Sequence, residues 1–227
     1  MQPELKTFGN SESRVVIIDG FRGRVDDLRI LASTMAPFPS SDNTYYPGRR
    51  RMITTADAVA YAYVEQTLEA CAPFIGGAFD IDAFAWDEAS FSMVTTPPGQ
   101  LLPTQRAPHF DRIDPYYLAI LHYLSPTPDT GTAFYRHRAT GIEQIAPANF
   151  ATFVETARRE NETAPQTGYI AGSNSFYEQI GYVEAVPDRL IIYRGCQLHS
   201  GIVPPGMTFS EDPLLGRLTA NIFVQGR

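Results

Sequence analysis

The sequence predicts a mainly β chain, a barrel or jelly roll with helices packed on its outside. Three observations carry that expectation. Short apolar segments rich in Tyr and Phe recur from Phe84 onward, and the chain holds 12 Tyr and 14 Phe, residues that favour strands. The 17 Gly and 18 Pro call for many turns. Helical periodicity is confined to the first third of the chain and one later stretch.

With 227 residues, 44% of them hydrophobic, the chain can bury a sizeable core as a single domain. Residues 1–85 read as an N-terminal strand and helical support, and residues 86–227 as the jelly-roll core. Residues 14–19 (RVVIID) form a short buried strand, ended by Gly20. Asp26 or Asp27 caps a helix that runs to about Met35, where Pro37 and Pro39 stop it. Residues 42–51 read as a loop with a turn at Pro47-Gly48, and Arg49-Arg50-Arg51 within it as a solvated run rather than a phosphate site. The strongest helix is predicted over 55–72. Thr54 or Thr55 caps it, Asp57 sits in its first turn, and Val64, Leu68 and Cys71 share one face.

Beyond that point the period falls to two. Phe84 alternates with Trp86, and Phe91 with Met93. Residues 117–124 are apolar nearly throughout, which places that strand centrally. Further strands are expected over 132–138, 178–185, 189–194 and 217–225, with a turn at Pro187-Asp188 and an inserted helix over 148–160.

Charge and cysteine usage exclude some functions. A net charge of −7 disfavours nucleic acid as a partner. Cys71 and Cys196 lie in no Cys-x-x-Cys pair, so no zinc knuckle or redox motif is present. Residues 1–10 lack an apolar signal core, and no apolar run approaches membrane-spanning length, so the expectation is a cytoplasmic protein with reduced thiols and no membrane partner.

The chemistry concentrates in His109-Phe110-Asp111, His199 and Arg217. In an extended segment His109 and Asp111 point to one side and Phe110 to the other, into packing. Pro108 and Pro115 stiffen the approach and exit. His199 follows the apolar strand Leu190-Ile191-Ile192-Tyr193 and a turn at Gly195, and so can arrive from a neighbouring strand. Two imidazoles and one carboxylate can hold one face of a ferrous ion and leave the other open, the donor set of non-haem Fe(II) oxygenases. A His-x-Asp pair alone occurs by chance. Here the later histidine, the β context and the trailing arginine agree with it. Arg217, Thr219 and Asn221 share a strand face, where Arg217 could grip a carboxylate through two N–H groups and Thr219 supply a third donor.

Other polar residues have plainer readings. His122, inside an apolar strand, is expected as a core histidine with one hydrogen bond. For His137, flanked by Arg136 and Arg138, cavity-lining and structural roles are both open. Arg112 contacts a substrate or an acid. Cys196 near His199 lacks a third orienting group for a thiol nucleophile, and Ser200 lacks a Gly-x-Ser-x-Gly setting.

These motifs resemble those of the Fe(II)- and 2-oxoglutarate-dependent dioxygenases, in an uncharacterised subgroup of the prolyl-hydroxylase-like branch. The similar positions are His109-Phe110-Asp111, His199 and Arg217-Leu218-Thr219, with Leu121-His122-Tyr123-Leu124 before Gly131-Thr132, the strand from Asp188 to Tyr193, and Val15-Val16-Ile17-Ile18-Asp19-Gly20-Phe21. The resemblance implies a double-stranded β-helix and Fe(II) held by His109, Asp111 and His199. It implies 2-oxoglutarate as co-substrate, its far carboxylate anchored by Arg217 with Tyr123 or Thr219 as second donor. The implied activity is hydroxylation of a small molecule or a peptide side chain. A 2-oxoglutarate-independent or non-catalytic cupin-like protein is the alternative. The long interval between His199 and Arg217 makes 204–216 a loop, placed as a lid over the site.

Overall fold

The computed structural model describes residues 3–40, 45–164 and 166–227. Two antiparallel sheets face one another. The chain runs through β1 (Pro3–Phe8), β2 (Ser13–Ile18), α1 (Asp26–Thr34), β3 (Gly48–Met52), α2 (Ala58–Phe79), β4 (Phe84–Val94), β5 (Tyr117–Tyr123) and β6 (Gly131–His137). It continues through α3 (Phe150–Thr163), β7 (Tyr177–Glu184), β8 (Leu190–Arg194), β9 (His199–Ile202) and β10 (Leu218–Gly226). The large sheet has the order β1-β2-β8-β5-β10-β4-β3, the small one β7-β6-β9. Residues 1–85 thus contribute β1, β2 and β3 to the large sheet as well as α1 and α2. No described helix is long and apolar enough to cross a membrane.

Strand alternation sorts the side chains into three layers. Val16, Ile18, Phe91, Met93, Leu118, Ile120, Leu190, Ile192, Ala220 and Ile222 face α1 and α2 in the main core. Their neighbours in sequence, Val15, Ile17, Ala119, Tyr123, Ile191 and Tyr193, meet Phe134 and Val183 between the sheets. Ala133 and Tyr135 turn the other way and pack with Phe153 of α3. β5 is buried on both faces between β8 and β10, in the central position its composition predicted.

Several local expectations are corrected. Residues 48–51 are not loop but part of β3, an edge strand on β4; residues 42–44 lie outside the described residues. Any Cβ at Gly48 would strike the Met93 carbonyl, so glycine permits this pairing. The three arginines alternate: Arg49 pairs with Glu211, Arg50 with Glu88, and Arg51 with Asp57. Neither Asp26 nor Asp27 is the cap of α1; Val25 holds that position and both aspartates lie in the first turn. α2 begins at Ala58, with Asp57 rather than a threonine at its cap position, and the Asp57 carboxylate holds the Thr54 amide at 2.9 Å and its hydroxyl at 3.0 Å. α2 also runs through Pro73 to Phe79. Proline inside a helix costs about 3 kcal/mol. Burial of Ile75, Ala78 and Phe79 beyond it, each large apolar side chain contributing about 1.5–3 kcal/mol, offsets that cost. β7 and β8 do not pair around Pro187-Asp188; the chain there crosses from the small sheet to the large one. Asp188 takes a left-handed backbone conformation at that crossing.

Asp188 is also a hub. Its carboxylate accepts the amides of Arg22 at 2.9 Å and Gly23 at 2.6 Å, and stands 3.0 Å from His122 Nε2. His122 Nδ1 lies 2.9 Å from the Tyr63 hydroxyl. The core histidine therefore makes two hydrogen bonds instead of one, and the chain Tyr63–His122–Asp188 ties α2 to β5 and the sheet crossing. Burial opposes ionisation of Asp188, but the bonds from His122, Arg22 and Gly23 outweigh it and hold the carboxyl below its ordinary range. A depressed carboxyl pKa adds stability above the unfolded value near ~4, lost as pH falls through the folded value. Asp188→Asn should therefore cost roughly 2–4 kcal/mol at pH 7 in urea unfolding, with the gap to the parent closing below about pH 4. An equal gap at pH 7 and pH 3 would show that the carboxylate's charge is not what matters.

Candidate metal centre

The 109–111 segment hangs on the rim of the small sheet. The His109 amide donates to the His199 carbonyl, and the His199 amide to the His109 carbonyl, both at 2.8 Å. The Asp111 amide donates to the Gly195 carbonyl at 2.7 Å. This extended geometry turns His109 and Asp111 to one side. Phe110 turns away and meets Phe150 and Phe153 edge-on, at 6.0 and 6.3 Å.

The structure brings the three side chains together, with one donor atom from each of His109, Asp111 and His199 within 4.8 Å of the other two. His109 Nε2 lies 3.9 Å from Asp111 Oδ1, and His199 Nε2 lies 3.7 Å from Asp111 Oδ2. His199 Nδ1 is 2.8 Å from the Gln197 carbonyl. A carbonyl only accepts, so the proton sits on Nδ1 and the Nε2 lone pair faces Asp111. The edge of Tyr193 fixes the ring from the side, at 4.9 Å. Burial pushes His199 down to about 4, and burial with the neighbouring His199 does the same to His109, although the outer edge of His109 stays open at the pocket mouth. Both imidazoles are neutral at ordinary pH, the form that donates a lone pair. Burial raises Asp111 to about 6, against the pull of His109 and Arg50. Among the described residues nothing hydrogen-bonds the buried Asp111 Oδ2. Such an orphaned acceptor costs about 1–3 kcal/mol unless a cation or donor meets it.

Arg217 precedes β10 and is buried between the sheets. Its Nη2 donates to the Gly131 carbonyl over a long 3.3 Å, its Nε has no partner, and no carboxylate pairs with it among the described residues. Tyr46, Tyr123 and Tyr169 stand within electrostatic reach of its charge. The Tyr123 hydroxyl is 2.7 Å from Thr132 Oγ1, and burial raises it to about 12. Thr219 Oγ1 donates to Asn221 Oδ1 at 2.8 Å. Arg217, Thr219 and Tyr123 thus converge on one inner face. Tyr46 and Tyr169, in segments with no periodic signal, are additions that sequence reading did not single out. The 204–216 loop is held over this end: Phe209 stacks on Tyr169 at 6.1 Å, and Glu211 pairs with Arg49 at 2.7 Å.

The remaining candidates lie elsewhere. His137 is buried on the outer face of the small sheet, 2.8 Å from both Thr140 and Glu160, and clamps α3. Arg112 pairs with Asp87 at 2.8 Å. Burial pushes the Cys71 thiol up to about 12 and raises that of Cys196, so neither is an activated nucleophile. A surface groove of about 460 Å³, lined by Arg22, Leu28, Tyr63 and Gln66, lies on the helical side of the large sheet, away from the triad.

The model of a family of unknown function, DUF6445, matches residues 1–224. No curated protein matches the sequence. Among solved structures, HygX from Streptomyces hygroscopicus with iron bound superposes with a TM-score of 0.57 at 13% identity, over 94% of this chain and 83% of that one. HygX with nickel and 2-oxoglutarate bound gives 0.56 at 14%, over 93% and 82%. The non-heme alpha ketoglutarate dependent carbocyclase SnoK from nogalamycin biosynthesis gives 0.53 at 8%, over 95% and 81%. The collagen prolyl hydroxylase vCPH from Paramecium Bursaria Chlorella virus-1 gives 0.50 at 11%, over 94% and 96%. At such identities the likeness establishes the fold, the jelly-roll or double-stranded β-helix of the Fe(II)/2-oxoglutarate oxygenases.

A buried guanidinium without an acid is a stability cost unless a ligand meets it. Arg217→Met should leave the unfolding midpoint unchanged or raise stability by about 1 kcal/mol in thermal or urea unfolding. A loss of several kcal/mol would assign Arg217 to the fold instead of to a ligand.

Proposed function

This chain belongs to the DUF6445 family, and we propose that it is a non-haem Fe(II)- and 2-oxoglutarate-dependent oxygenase that hydroxylates a small molecule or a peptide side chain. One observation carries the reading: three convergent donors on a jelly-roll rim, one of them a buried carboxylate oxygen with nothing bound to it among the described residues. The donor set fits the metal. Two neutral imidazoles and a carboxylate suit ferrous iron and leave coordination positions open for an organic chelator. HygX, a neighbour in fold, holds iron in one structure and nickel with 2-oxoglutarate in another.

Each residue then has a defined task. His109, Asp111 and His199 hold the ion, and the Gln197 carbonyl keeps His199 Nε2 turned toward it. Arg217 receives the distal carboxylate of 2-oxoglutarate through paired N–H groups, which supplies the missing counter-charge. Tyr123 and Thr219 orient that end. Tyr193 and Phe134, both buried between the sheets, keep water from the space around the ion. Bound iron with its co-substrate supplies the activation of dioxygen that oxidises a C–H bond. Two buried, free thiols fit a reducing compartment such as the cytoplasm.

Under anaerobic conditions Fe(II) and 2-oxoglutarate should give a visible charge-transfer band with the parent protein, absent from His199→Ala and Asp111→Ala. Arg217→Met should still bind Fe(II) but weaken 2-oxoglutarate by roughly 30-fold or more, as expected when a buried charge loses its partner. A folded parent that takes up no Fe(II) in equilibrium dialysis would end this reading.

A further inference from the structure

A second set of charged groups lies on the same inner face as Arg217 and Thr219, and neither iron nor 2-oxoglutarate uses it. Its origin is a β-bulge. Phe223 of β10 opposes Glu88, Val224 opposes Trp86, and Asp87 has no partner between them. Trp86 and Ala89 both pack on the helical side. The extra residue therefore turns both acids away from the helices. Asp87 accepts the Tyr117 hydroxyl at 3.0 Å and pairs with Arg112 at 2.8 Å. Glu88 pairs with Arg50 Nη2 at 2.6 Å, and Arg50 also donates to Ser90 Oγ, from Nε at 3.3 Å and from Nη2 at 3.0 Å.

Between this pair and the triad lies an aromatic floor. The Arg50 guanidinium sits 6.0 Å from the centre of the Phe223 ring, and Phe223 stacks on Tyr117 at 5.6 Å, 13° from parallel. A Cβ placed on Gly195 would lie 2.9 Å from Tyr117 Cδ1 and 3.3 Å from Asp111 Oδ2, so Tyr117 reaches the neighbourhood of the metal-site carboxylate. The pair of Arg50 and Glu88 remains reachable, with 22% and 36% of the two side chains exposed.

We propose that Arg50 and Glu88 recognise the head group of a free α-amino acid, Glu88 taking its ammonium and Arg50 its carboxylate, so that its side chain lies along Phe223 and Tyr117 toward Asp111. This deepens, and rests on, the oxygenase reading of the same pocket. The physical basis is charge balance. A ligand with one charge would satisfy one member of the pair and strand the other, at a desolvation cost. A zwitterion satisfies both. The two side chains touch, so the ligand's charges must be adjacent, as they are on one α-carbon. A residue inside a peptide has neither charge, which selects the small-molecule branch of the proposed activity.

The test uses the full chain loaded with Ni(II) and 2-oxoglutarate. The standard L-amino acids are titrated by calorimetry, and the tightest binder is compared with its decarboxylated amine and its deaminated acid. At least one amino acid should bind, with both analogues at least tenfold weaker. Glu88→Gln and Arg50→Gln should each weaken that amino acid at least tenfold while titrating Ni(II) like the parent, which also reports that they fold. No binding by any amino acid, analogues as tight as the parent compound, or variants with unchanged affinity would overturn the assignment. If the parent takes up no Ni(II) yet binds an amino acid in a Glu88-dependent way, the oxygenase reading falls and the recognition pair stands.

Discussion

The reciprocal backbone pairing of His109 with His199 is the constraint on which the pocket depends. Two hydrogen bonds of 2.8 Å bind a loop segment to the first residue of β9 and fix both imidazoles to one short bridge. The Asp111 amide adds a third tie, to Gly195, and extended geometry does the rest by setting Asp111 on the same side as His109. No side-chain bond is needed to bring the three donors together. His199 adds one side-chain bond, from Nδ1 to the Gln197 carbonyl, which turns its Nε2 toward Asp111 and leaves that atom available.

Among the buried polar groups, pairing separates those that hold the fold from those that await a ligand. Asp188 is saturated by His122 and two amides. Glu143 is buried and takes the Asn10 and Ser11 amides, the Ser11 hydroxyl and Arg136, joining the β1–β2 turn to the small sheet. His137 spends both nitrogens on Thr140 and Glu160. In contrast, Asp111 Oδ2 and Arg217 Nε are buried with no partner among the described residues. A protein tolerates such a cost where something else supplies the counter-charge.

The sheet also shapes what surrounds those groups. One inner face carries Arg217, Thr219, Asn221 and Phe223 at period two, with Ser92, Ser90 and Glu88 opposite them on β4. The bulge at Asp87 crowds two acids onto that face, where strict alternation would place one. The edge strand β3 then brings Arg50 to Glu88, while Arg49 and Arg51 secure the 204–216 loop and the start of α2. A run of three identical residues thus serves three separate purposes because the strand alternates.

Much of this was legible in the chain alone. Periodicity placed β2, β5, β6, β8, β10 and all three helices to within a few residues, apart from the end of α2, because those segments bury one or both faces and their apolar pattern records it. His109, Asp111, His199 and Arg217 stood out because few residue types do their chemistry and the spacing suited strands. β1 and β3 did not stand out. They are edge strands, largely exposed or lined with arginine, with no apolar pattern to betray them. The separation of β7 from β8, the bulge at Asp87 and the pairing of Arg50 with Glu88 were likewise invisible. Each depends on which strand lies beside which, a choice made by packing between residues far apart in sequence. Local sequence determined the elements and the reactive groups; tertiary pairing alone decided which charges meet and which are left facing an open pocket.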